Sequence, residues 1–199
     1  MPEEILLSTA YFPPAIYFSL IRNSDKVFVE REENYVRQTY RNRCRILTSG
    51  GILNLTVPVM KGNVLKAKVK DITIDYSKRW QQVHLRALTS AYSRSPFFQF
   101  YSDPIINIIQ KKHSFLIDLN YELLLQCLGF LDMDKCINYT SSFLPDTGLS
   151  NDYRYRITPG KHPGTTSQQY IQVFGDKFVP GLSILDLIFN LGPEATDYL

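Results

Sequence analysis

Apolar and polar positions alternate along this chain in two distinct rhythms. Residues 5–9, ILLST, form a short apolar run closing in hydroxyls, followed by Pro13-Pro14 and then the amphipathic AIYFSLI. A brief apolar run bounded by breakers predicts a strand, and Pro14 suits a first helical turn, where its missing N–H has no partner to lose. KVFVE at 26–30, after Asn23-Ser24-Asp25, predicts a second strand, completing a βαβ unit of about the shortest length that allows a parallel pair. CRILTSGGILNLTVPV (44–59) sets two β-rich runs around Ser49-Gly50-Gly51, where glycine supplies the positive φ of a tight hairpin turn. VLKAKVKDITIDY (64–76) alternates apolar residues with Lys66, Lys68 and Lys70, predicting a further strand with one wet face.

From Ser77 the period lengthens to 3.6. Trp80, Val83, His84, Ala87, Leu88 and Ala91 fall on one helical face. Asp103-Pro104 is read as the start of a helix IINIIQKKH, and Ser114 as the start of another, FLIDLNYELLLQCL, closed by Gly129. Residues 150–169 hold almost no aliphatic side chain and several Pro or Pro-Gly breaks, so a long flexible loop is expected. LSILDLIFNLG (182–192) predicts a last helix ended at Gly192-Pro193. No repeat or heptad pattern is present. The sum is a single α/β domain over residues 1–199, with an N-terminal βαβ-plus-hairpin sheet and a helical C-terminal half.

Composition narrows the function classes. The 199 residues are 44% hydrophobic, enough for a sizeable core, and carry a formal charge of only +3. That excess is small for a nucleic-acid binder, so any basic site must be local. Apolar stretches break before roughly 20 residues, so no membrane span is predicted. Three cysteines without metal-type spacing, and acids where a leader would carry bases, give a cytoplasmic expectation.

The densest chemistry lies in NYVRQTYRNRCRI (34–46), which packs Arg37, Arg41, Arg43 and Arg45 directly behind Glu30, Glu32 and Glu33. Either a helix or a strand aligns three of these guanidinium groups, a good receptor for phosphate or carboxylate. The other reading pairs them with Glu30, Glu32, Glu33 or Asp71 across the surface. STAYFPPA (8–15) sits beyond the first strand, where open parallel sheets bind ligands; Tyr11 and Phe12 could stack a ring there or belong to the core. His84, on an apolar stripe, is either a core residue or a general base needing an orienting carboxylate, with Glu30, Asp71 and Asp75 as candidates. His113 reads as solvated at a helix end. Cys44 between Arg43 and Arg45 could be an activated thiol, because a positive field lowers a thiol pKa, or a buried structural one. The 150–169 loop adds Arg154, Arg156, Lys161 and His162 among Tyr153 and Tyr155, and could close over an anion. No metal site or Gly-rich phosphate cradle is present, and no cofactor is expected.

NYVRQTYRNRCRI, with YFPPAIYFSLI, LTVPV, WQQVHLRALTSAYSRSPFF and SILDLIFNLGP, resembles the WbqC-like protein family in the form common in Bacteroidetes. Relatives often place a Gln-Pro pair before the Tyr-Phe-Pro element, where this chain has Ser8-Thr9. The resemblance implies a place in O-antigen-type surface-polysaccharide biosynthesis. The matched positions are Tyr11, Phe12, Pro13, Tyr35, Tyr40, Arg41, Asn42, Arg43, Trp80 and His84. Together these readings give a transferase acting on a nucleotide-linked or phosphorylated amino sugar. His84 is its expected base; Tyr11, Phe12, Tyr35, Tyr40, Arg41, Asn42, Arg43, Trp80, Arg154 and Arg156 are its expected substrate-binding residues. The competing expectation is a non-catalytic module for an anionic sugar or nucleotide, or for a partner enzyme of the same pathway.

Overall fold

The expected βαβ unit opens the fold. In the computed structural model, which describes residues 4–60, 66–145, 151–159 and 168–199, β1 (Glu4–Ser8) leads through α1 (Ala15–Arg22) to β2 (Lys26–Glu30). The two strands pair in parallel, from Glu4 opposite Lys26 to Ser8 opposite Glu30. Pro14 stands at the N-cap of α1 in extended conformation, and Tyr17, Phe18 and Ile21 turn inward. Burying each such side chain contributes roughly 1.5–3 kcal/mol.

A third parallel strand, β5 (Ile137–Tyr139), pairs with β2 on its other side, giving the order β1-β2-β5. The apolar pattern gave no sign of this three-residue strand, which lies more than a hundred residues downstream of its partner. On the far edge of β1, Leu6 N–H donates to the Asn151 carbonyl, and Tyr153 N–H donates to the Leu6 carbonyl. Residues 151–153 therefore lie against β1 as a short strap.

The hairpin forms as predicted: β3 (Arg43–Thr48) and β4 (Gly51–Thr56) are antiparallel, with Gly51 at φ 96° in the turn. It stands as its own two-stranded sheet. Residues 66–76 differ from the expected strand. They form isolated bridges at Lys68, Thr73 and Ile74 around a 3-10 turn, Val69–Asp71. Their backbone is satisfied piecemeal, with Val69 N–H on the Glu33 carbonyl and Lys70 N–H on the Arg31 carbonyl.

Helices α2 (Trp80–Tyr92), α3 (Phe98–Gln110) and α4 (Leu116–Phe130) pack in succession, and α5 (Ile184–Leu191) closes the core against α3, α1 and β3. The α2 face is narrower than expected: Trp80, His84, Leu88 and Ala91 are buried, while Val83 points outward. Pro104 does not begin α3 but lies inside it, one turn after Phe98. Gly129 does not end α4; that helix runs on to Phe130, and Asp132 takes the left-handed conformation after it (φ 51°). Gly192 ends α5 as predicted, at φ 55°.

Candidate functional site

Ser8, Glu30 and Thr140 stand at or just beyond the carboxyl ends of the three parallel strands, where α/β sheets place their ligands. A buried ionic network fills this end. Arg41 donates from Nε to Glu33 Oε1 (2.8 Å), and from Nη2 to Glu33 Oε2 (2.7 Å) and Ser8 Oγ (2.7 Å). Arg154 donates from Nη1 to Glu30 Oε2 (3.1 Å), from Nη2 to Asp152 Oδ2 (2.6 Å) and to the Leu144 carbonyl (2.9 Å). Ser8 Oγ joins the halves by donating to the Arg154 carbonyl, and the Tyr155 ring lies near both guanidinium groups.

Arg41 and Arg154, one from each arginine group, thus meet in space, but with carboxylates between them. Glu30, Glu33, Arg41 and Arg154 are all under 3% exposed. The acidic run expected as a surface partner is instead interior, because β2 carries it into the sheet end. Burial raises the Glu33 pKa, and the Arg41 charge with hydrogen bonds from Arg41 and Tyr155 only partly offsets it. Glu32 is the outward member of the run, held down to about 2 by hydrogen bonds from Lys68 and Lys70.

His84 occupies a different neighbourhood. Its Nδ1 lies 2.8 Å from the Tyr11 hydroxyl, and the Thr56 backbone lies close to the ring. The Tyr11 hydroxyl, kept protonated by burial, can donate to Nδ1 of the neutral ring. Burial lowers its pKa to about 4. Of the expected carboxylate partners, Glu30 is engaged by Arg154 and Thr140, and Asp75 by the Ser77 amide. Tyr11 and Phe12 are fully buried, with ring centroids 4.8 Å apart, and the Trp80 ring stands 5.0 Å from His84. As folded, none of these four side chains presents a face to solvent.

A cleft of about 330 Å³ opens on the other side of the arginine segment, lined by Tyr35, Arg37, Gln38, Asn42, Arg43, Val59 and Met60. Arg41 bonds into the sheet end, while Asn42 and Arg43 line the cleft. Asn42 is anchored by donating to the Val57 carbonyl (2.8 Å). Gln38 turns the chain at φ 59°, which brings Arg37 alongside. Arg43 Nε is buried without a hydrogen-bond partner, and among the described residues neither Arg37 nor Arg43 faces a carboxylate. Tyr35 is buried, and desolvation raises its pKa to about 12, so its hydroxyl keeps its proton.

Of the remaining candidates, Tyr40 is buried near Arg45 and burial raises its pKa, and Arg156 is exposed over the Tyr153 ring at 5.6 Å. Lys161 and His162 lie outside the described residues. His113 is not simply solvated; its Nε2 lies 2.7 Å from Glu122. The activated-thiol reading of Cys44 is corrected: its side chain faces the core and burial pushes its pKa up. Among the described residues no group of three or more His, Cys, Asp or Glu could hold a metal ion, and no helix is long and apolar enough to cross a membrane. Sequence reasoning did not select Arg37, although it stands in the arginine segment, nor Asn120, whose mid-helix amide gave no pattern signal.

The fold and these two polar places define a small α/β protein built on a parallel βαβ core with an appended hairpin. The family model described as the WbqC-like protein family matches residues 9–159 and 161–198, and the chain belongs to that family. It is 28% identical over 240 aligned residues to a Mycobacterium tuberculosis protein named "Uncharacterized protein Rv1507c", covering 100% of this chain and 98% of that relative. No solved structure matches at a significant level.

Proposed function

We propose that the chain binds an anionic precursor of surface polysaccharide, a nucleotide-linked or phosphorylated amino sugar, in the cleft of Tyr35, Arg37, Asn42 and Arg43. The observation that carries this reading is the pair of guanidinium groups, Arg37 and Arg43, without carboxylate partners among the described residues, beside a buried, unbonded Arg43 Nε. A guanidinium fork with free donors suits a phosphate's oxygens. Arg41 and Arg154 are poorer receptors, since Glu33, Glu30 and Asp152 already neutralise them.

Binding without chemistry is favoured over transfer by the burial of His84 in the core, with its Nδ1 against the Tyr11 hydroxyl. A transferase would need that ring freed, or a different base at the sheet end. The test is calorimetric titration with inorganic phosphate and with nucleotide sugars, read beside the melting temperature, which a native-state ligand raises. Arg43→Ala and Arg37→Ala should each weaken binding roughly tenfold or more, the worth of a charge-assisted hydrogen bond, while the unliganded melting temperature hardly moves. Full affinity in the double variant sinks the assignment.

A further inference from the structure

A second void lies at the carboxyl end of β1 and β2, distinct from the anion cleft. It is lined by Thr9, Ala10, Tyr17, Val29, Asn120, Tyr121, Leu124 and Tyr139 and encloses about 10 Å³. That is close to the least volume a water-sized group can occupy.

Its chemistry is one-sided. Asn120 is buried and donates through Nδ2 to Thr9 Oγ1 (3.1 Å) and to the Arg41 carbonyl (2.8 Å). A carbonyl cannot donate, so this fixes the amide's orientation and leaves Oδ1 as an acceptor with no partner. A buried unsatisfied acceptor costs about 1–3 kcal/mol, so the site calls for a donor. Three tyrosine rings line the same space, and among the described residues no lysine or arginine does. The nearby guanidinium groups stand outside it and are paired, Arg41 with Glu33 and Arg31 with Glu32. Arg31 already rests on the Tyr139 ring at 5.6 Å, so this ring accepts a cation. Tyr121 and Tyr139, half-buried with ring centroids 5.4 Å apart, line the side nearer solvent.

We propose that this void receives a primary ammonium group, held by Asn120 Oδ1 among the rings of Tyr17, Tyr121 and Tyr139. The chain then has a recognition site for an amine-bearing small molecule, such as an amino sugar. The void fits one ammonium head and no more, and aromatic walls around a lone acceptor favour a compact cation with donors over a neutral hydroxyl. This site stands whether or not the anion cleft binds phosphate.

The experiment is nitrogen–proton NMR on the full chain, titrated with glucosamine and, in parallel, with glucose, which differs only in the amine. Glucosamine should shift the Asn120 side-chain amide and the Ala10 and Tyr139 backbone amides; glucose should not. Tyr139→Phe keeps the ring and should retain binding, whereas Tyr139→Leu should weaken it roughly tenfold. Tyr121→Leu, on a different element, should do the same if Tyr139→Leu folds poorly. Arg43→Ala should leave these shifts intact, separating this site from the anion cleft. Absence of any glucosamine shift means that the void holds water only and overturns the proposal. So do equal shifts from glucose, or undiminished binding in both leucine variants.

Discussion

Removing the guanidinium from Arg41 tests the buried network most directly. Arg41→Met takes away two charge-assisted hydrogen bonds to Glu33, at 2.8 and 2.7 Å, and one to Ser8. Glu33 remains fully buried, with only the Tyr155 hydroxyl (3.0 Å) to hold its charge. Leaving one partner of a buried ion pair uncompensated costs about 3–5 kcal/mol, a third or more of a typical domain's stability. In a chain of this size that lowers the melting temperature by about 6–20 °C. The decisive comparison is Arg41→Met combined with Glu33→Leu, which removes both charges and should recover much of the loss. The sign of the pH effect follows from Glu33. Its folded pKa is raised, so between the unfolded and folded values the native state binds the extra proton, and stability falls as pH rises through that window. Arg41→Met should widen the window upward, so its deficit at pH 8 exceeds that at pH 5. Urea unfolding at the two pH values measures both effects. A single-variant cost below about 1 kcal/mol, or a double variant less stable than the sum of the singles, refutes the reasoning.

His84 should give the opposite slope. Its folded pKa of about 4 lies below the unfolded value near 6.5, so stability is lost as pH falls through that interval; in His84→Gln, urea midpoints between pH 4 and 6.5 should flatten. Gly192→Ala should lower stability by about 2 kcal/mol or more. The new Cβ would run into the Phe97 ring in a left-handed backbone (φ 55°), and thermal unfolding reads the loss.

Local pattern reveals what local physics decides. The βαβ opening and the Gly51 hairpin turn follow from side-chain period and backbone freedom, so they stand in the structure as expected, and the α2 stripe does so except at Val83. Strand β5 does not, because three residues carry too little pattern and owe their form to β2. Residues 66–76 alternate like a strand but meet scattered backbone partners in place of a ladder. Pro104 lies past the first turn of α3, where it forfeits the bond an N–H would make to the Phe100 carbonyl, so local pattern reads it as a helix start while burial of Ile105, Ile108 and Ile109 carries the helix through it. For the site, the arginine segment pointed to the right stretch of chain, and the possible Glu pairing was visible too. What spacing could not show is depth: β2 takes Glu30 and Glu33 into the interior, so Arg41 becomes committed while Arg43, two positions on, stays available.

The pairing of Glu30 with Arg154 has a consequence during translation. The carboxylate leaves the ribosome 124 residues before its counter-ion, an interval of about 6–25 s at common elongation rates. Until then the sheet's polar end must stay hydrated, so the nascent N-terminal half cannot seal its own core. A ribosome-bound fragment halted before residue 154 should remain protease-sensitive around Glu30 even with β1 and β2 already paired.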